Sequence, residues 1–117
     1  MFGLNLLSML HNYDIRKVGR DDFRWGFIST CRVTDGRKDY ETAVEHKDYN
    51  GGAIVIVECY DTEQQAEDGH KRWVRTMTAK KLPQTLKDCA NTEIAQLCKA
   101  VGSEMEFKRK AKKRKAA

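Results

Sequence analysis

The sequence predicts an α+β fold: an antiparallel β-meander of three or more strands packed by one long helix, with a second, C-terminal helix and a basic tail after it. Three observations carry that expectation. Between Phe23 and Tyr60 the chain either alternates apolar with polar residues or runs apolar through β-branched ones, broken by glycine-containing turns. From Thr62 to Ala79 the apolar residues recur instead at helical spacing. Finally, 117 residues, 40% hydrophobic and 33% charged, suffice for one hydrophobic core with a wet surface.

Phe2, Leu6, Met9, Leu10 and Tyr13 fall near one face at helical spacing, so residues 2–13 suit a short amphipathic helix weakened by Gly3 and Asn5. Polar and charged residues dominate from Asp14 to Asp22, which reads as a connector broken at Gly19. Phe23, Trp25, Phe27, Ser29, Cys31 and Val33 then alternate with Arg24, Gly26, Ile28, Thr30 and Arg32. A period of two predicts one strand with its aromatic set facing the core. Thr34-Asp35-Gly36-Arg37 is a hairpin turn, since Asp-Gly supplies the positive φ such turns need. Tyr40, Thr42, Val44 and His46 mark one face of a second strand, and Tyr49-Asn50-Gly51-Gly52 a second turn. The nearly continuous apolar run from Ala53 to Tyr60 predicts a strand covered on both faces, hence central in the sheet.

Thr62 caps the long helix, with acidic Glu63 in its first turn, and Ala66, His70, Trp73 and Met77 draw one stripe for the sheet. Gly69 costs that helix about 1 kcal/mol relative to alanine. Its place beside the stripe predicts close backbone contact with the sheet. The helix should stop near Ala79, ahead of Pro83. Asn91 as cap, Ile94, Leu97, Cys98 and Val101 as a face, and Gly102 as a stop predict the second helix. The expected core is Phe23, Trp25, Phe27, Val55, Val57, Ala66, Trp73 and Met77. Three regions result: an apolar segment and connector over 1–22, the α+β core over 23–102, and a polybasic tail over 103–117.

The net charge of +5 conceals an asymmetry. Lys108, Arg109, Lys110, Lys112, Lys113, Arg114 and Lys115 are seven of the 22 basic residues, which leaves 15 against 17 acidic ones, about −2, over residues 1–107. Seven like charges in eight residues repel one another and have no use in packing. Contact with a polyanion accounts for them, because neutralising phosphates releases counterions whatever the base sequence. DNA is the expected partner, with an acidic protein groove or a solvated tail as the alternatives.

No apolar run approaches the roughly 20 residues a bilayer span needs. The apolar start has no basic residues before it and no small-residue cleavage pattern, so it does not read as a secretory signal. Phe2, Leu6, Leu7 and Leu10 are more apolar surface than a mobile terminus should leave in water, so they are expected to be buried against the body or another subunit and are candidate interface residues. The four cysteines, Cys31, Cys59, Cys89 and Cys98, form no Cys-x-x-Cys pair, and each suits a strand or helix face as a buried free thiol. A disulfide is the alternative wherever the protein meets oxidising surroundings.

Sites for catalysis are hard to assemble. His11, His46 and His70 are the only histidines, and no two candidate metal ligands lie three or four apart on one element. His70, on an apolar helix stripe, reads as a buried, hydrogen-bonded structural residue. There is no Gly-x-Ser-x-Gly elbow, and Asp21-Asp22 and Glu67-Asp68 read as solvated pairs. The expectation is therefore no enzyme, no metal and no cofactor. The sole enzymatic alternative gathers His46, His70 and Cys59.

Residues 26–36, Tyr40 to His46, Tyr49-Asn50, Ile56 to Thr62, Gly69-His70, Trp73-Val74, Met77-Thr78 and Leu82-Pro83 resemble a family of small, mostly uncharacterised proteins encoded by tailed bacteriophages. The resemblance spans about residues 23–90 and leaves the basic run outside it. It implies a phage origin and names no activity. The function expected on these grounds is a structural or assembly protein of a phage particle, assembled in the host cytoplasm. Its body docks on other virion subunits and its basic tail meets DNA or an acidic neighbour. The alternative is a non-virion nucleic-acid-binding or host-directed regulatory protein.

Overall fold

A computed structural model describes residues 17–34, 38–89 and 106–110. Four strands, β1 (Lys17–Phe23), β2 (Gly26–Arg32), β3 (Tyr40–His46) and β4 (Val55–Tyr60), pair in sequence order as an antiparallel meander. The helix α1 (Glu63–Thr78) packs on one face of that sheet and touches all four strands. Strands β5 (Thr85–Lys87) and β6 (Glu106–Lys108) form a separate antiparallel ribbon.

The strand expected over Phe23 to Val33 is two strands. Phe23 ends β1, Arg24 and Trp25 make the turn, and Gly26 begins β2 directly opposite Phe23. Gly26 carries the positive φ, 147°, so Arg24 and Trp25 can turn without glycine or asparagine between them. One consequence is an exchange of faces: Ile28 and Thr30, not Phe27, point at α1 and are fully buried. Phe27 lies on the other face, with the Arg20 guanidinium 4.2 Å above its ring. The connector expected over 14–22 is, from Lys17 onward, β1. Its charged composition is that of an edge strand, which natural sheets protect with exposed charge.

β4 ends the four-stranded sheet, contrary to its expected central place. Its outer edge is met by the segment after β5, where the Cys89 amide donates to the Ile56 carbonyl at 2.7 Å. Thr42 pairs with Glu58 and Ala43 with Ile56, which leaves Val57 as an extra residue, a β-bulge. Side chains alternate along a strand, so Val55 and Tyr60, five positions apart, would otherwise face opposite ways. The bulge turns both toward α1, where they are 2% and 4% exposed.

α1 forms where its stripe and cap place it. The Thr62 hydroxyl accepts from the Gln65 amide while the Gln65 side chain accepts from the Thr62 amide, a capping box. Ala66, His70 and Met77 are buried on the sheet, and the helix ends at Ala79. The core holds Ile28, Val44, Tyr49, Val55, Met77 and Leu86, with Phe23, Trp25, Val57, Trp73, Val74 and Phe107 packed around it. Each fully buried aliphatic contributes about 1.5–3 kcal/mol over its exposed state.

The expectation of a second helix is corrected. Among the described residues α1 is the only α-helix, and the architecture is a four-stranded sheet and a two-stranded ribbon on one long helix. The span 91–102 expected to be helical lies outside the described residues. Beyond it the chain returns as a strand: Phe107, between exposed Glu106 and Lys108, packs on the core opposite Leu86. Phe107 fills a period of two, not a helical stripe. Residues 106–110, expected to begin a detached tail, are therefore bonded to the body.

Candidate functional site: a buried polar chain and an anchored basic run

α1 and the sheet enclose polar as well as apolar side chains. Thr30 on β2 and Thr42 on β3 face each other across the ladder, both 0% exposed, with hydroxyl oxygens 2.6 Å apart. His70 of α1 reaches Thr30 Oγ1 with Nδ1 at 2.7 Å, and Asp21 Oδ2 on the edge strand with Nε2 at 2.8 Å. On the opposite side Tyr60 Oη lies 3.0 Å from Thr42 Oγ1 and donates to Glu58 Oε1 at 3.0 Å. Trp73 Nε1 donates to the same oxygen at 2.9 Å, and the Arg72 guanidinium also donates to it. The chain Asp21–His70–Thr30–Thr42–Tyr60–Glu58 thus crosses the interior from one surface to another.

Two glycines make room for it. A Cβ on Gly19 would stand 2.9 Å from the His70 ring, and one on Gly69 2.2 Å from Tyr60 Oη. The first lets β1 approach the imidazole; the second lets α1 settle over the phenol, the close contact its position in the sequence predicts. Burial pushes the Glu58 carboxyl up, but hydrogen bonds from Trp73, Tyr60 and Arg72, with the charge of Arg72, overcome that and hold it below its usual range. Burial raises the Tyr60 hydroxyl; the Thr42 bond opposes this, the Glu58 charge adds to it, and the group is pushed up to about 12. It keeps its proton at neutral pH.

Glu58, Tyr60 and Arg72 line an open cavity of about 320 Å³, together with Cys59, Gln65 and Asp68. Cys59 is joined to Cys89 by a disulfide, Cα atoms 6.4 Å apart, which corrects the expectation that both are free thiols. Cys98 lies outside the described residues.

The enzymatic grouping of His46, His70 and Cys59 is not assembled. Each has its own neighbours: Cys59 has Cys89, His70 has Thr30 and Asp21, and His46 stacks on Trp25 at 4.5 Å and meets Tyr49 edge-on. His46 Nδ1 accepts from the Asp48 amide at 3.0 Å, and burial lowers its pKa against the pull of Asp48. No cluster able to hold a metal ion occurs among the described residues.

The basic run is rooted close to His46. Lys108 pairs with Thr85 in the ribbon, the Arg109 amide donates to the Gln84 carbonyl at 2.8 Å, and the Lys110 amide donates to the Asp48 carbonyl at 2.6 Å. The side chain of Tyr49, buried beneath, donates to the Pro83 carbonyl; burial raises its pKa, with the Arg109 charge opposing. Lys112, Lys113, Arg114 and Lys115, like Phe2, Leu6, Leu7 and Leu10, lie outside the described residues.

Sequence reasoning singled out His70 as buried and bonded but missed its partners. Asp21 sat in an assumed connector, Thr30 on the assumed solvent face, and Glu58 and Tyr60 beyond a bulge. Only the Thr42 and His46 face was visible, through the alternation of β3. No family model, curated protein or solved structure matches the chain.

Proposed function

We propose that the chain is a structural or assembly protein of a tailed-phage particle, whose body docks on neighbouring subunits while the run from Lys108 to Lys115 contacts DNA. The observation that carries this reading is the root of the run. Two backbone hydrogen bonds and a strand pairing fix Lys108, Arg109 and Lys110 to the body, so the charges leave from a defined point instead of trailing from a loose end. Fixing the root lowers the entropy lost when the run settles on a polyanion. The body carries about −2 and does not itself attract phosphate, so the work falls to the run. Phe2, Leu6, Leu7 and Leu10 are the apolar residues assigned to subunit docking.

The Cys59–Cys89 bond favours a particle over a regulator that stays in the cytosol, because disulfides persist in oxidising surroundings and not in a reducing one. Quantitative mass spectrometry of purified particles tests the assignment. The chain should appear at a fixed ratio to known particle subunits. Its absence from particles, with DNA binding retained by the pure protein, would overturn the structural role and leave a nucleic-acid-binding regulator.

A further inference from the structure

We propose that Asp21, His70, Thr30, Thr42, Tyr60 and Glu58 together form a proton-binding site that holds one proton more than their ordinary neutral-pH forms supply, seated on His70 as an imidazolium. Counting protons leads to this. The six groups make five contacts in series, between 2.6 and 3.0 Å long. A hydrogen bond needs one proton. The two terminal carboxylates bring none, each of the three hydroxyls brings one, and a neutral imidazole brings one. Four protons then serve five contacts, and one contact would oppose two bare acceptors. Such an opposition is repulsive. In the buried middle of the chain no solvent relieves it, and at the half-exposed Asp21 end the 2.8 Å approach to His70 itself calls for a proton between the two. Thr30 and Thr42 are 0% exposed and His70 is 7%, so water has little access to the middle of the chain.

One added proton satisfies every contact, and donation then runs outward from the imidazole. His70 Nε2–H donates to Asp21 Oδ2 and Nδ1–H to Thr30 Oγ1. Thr30 donates to Thr42, Thr42 to Tyr60, and Tyr60 to Glu58 Oε1. Seating the proton on Glu58 instead would reverse each of the last four bonds. Arg72 and Trp73, which both donate to that carboxylate, oppose it. The titratable groups on the chain are Asp21 from β1, His70 from α1, and Tyr60 and Glu58 from β4, with Arg72 of α1 beside Glu58; β2 and β3 contribute hydroxyls only. The extra proton sits on His70, but the order of donation through all six groups is what holds it there. Its two outlets are Asp21, whose side chain is 51% exposed, and Glu58, 35% exposed at the cavity.

Nitrogen-15 NMR of the His70 ring in the full chain, at about pH 7 where an unperturbed histidine is mostly neutral, reads the site directly. Both ring nitrogens should be protonated. Thr42→Val gives the decisive comparison: it preserves shape but removes one hydroxyl proton and two contacts. The three contacts left are then served by the protons of Thr30, Tyr60 and a neutral imidazole, and every remaining polar group stays bonded. In that variant, at the same pH, Nδ1 should be unprotonated and the protein should carry one proton fewer. An unprotonated nitrogen in the wild-type ring would overturn the proposal. So would a His70 equally protonated in both proteins, which would show that Asp21 alone holds the charge.

Discussion

Replacing Gly26 with alanine is expected to destabilise the protein by about 4 kcal/mol, combining roughly 1–3 kcal/mol for a strained φ with roughly 1–3 kcal/mol for overpacking. Gly26 has φ 147°, and a Cβ there would lie 1.8 Å from the Glu45 carbonyl oxygen. That atom is backbone, so no rotamer change clears the space. Either β2 and β3 separate at their first pair, Gly26 with His46, or the Arg24–Trp25 turn opens. Both would disturb Trp25, which stacks on Phe23 and His46 at 4.5 Å each. Urea unfolding measures the effect. A loss below about 1 kcal/mol would mean that the hairpin turns elsewhere.

Cys89→Ser should cost about 3–4 kcal/mol. The bond closes a loop of sequence separation 30 that contains α1 and β5, and the loop-closure entropy of a chain that long gives this value. Reductant should lower the stability of the wild-type protein by a similar amount and leave the variant unchanged. Equal stability of the wild type in both conditions would show that the thiols are not paired. The bond also ties β4 to the segment after β5, the strand that pairs with β6 at the root of the basic run. Its loss should therefore loosen that root before it unfolds the meander.

Local rules made some of this molecule legible. The alternation of Tyr40, Thr42, Val44 and His46, the Thr62 cap, the Ala66–His70–Trp73–Met77 stripe and the Asn50–Gly52 turn each depend on neighbours within a few positions. What stayed hidden depends on distant pairing. The Arg24–Trp25 turn has no turn residue between its ends, so Phe23 to Val33 passed for one strand and its faces were exchanged. β1 hid behind the charges of an edge strand. The bulge at Val57 leaves no mark in a run of β-branched residues, yet it aims Glu58 and Tyr60 at α1. Residues 106–108 look like the start of a tail because Phe107 gains its meaning only from Leu86, 21 positions earlier. The polar chain was the least visible feature, since its members come from four strands and a helix and meet only once the register is set.

DNA binding by the basic run is the central claim, and its salt dependence tests that claim most directly. Random duplex DNA should bind the full chain with log K falling against log salt at a slope of about −4 to −5, as expected when four to six phosphates are neutralised. A second duplex of defined sequence should bind alike, because phosphate contacts carry no base information. Changing Lys112, Lys113, Arg114 and Lys115 together to glutamine leaves the anchored residues in place and should flatten the slope by about 3–4 units, with most of the affinity lost. Melting temperatures recorded on both proteins separate this from unfolding. An unchanged slope and affinity in the glutamine variant would contradict the account and move the role of the run to an acidic protein partner.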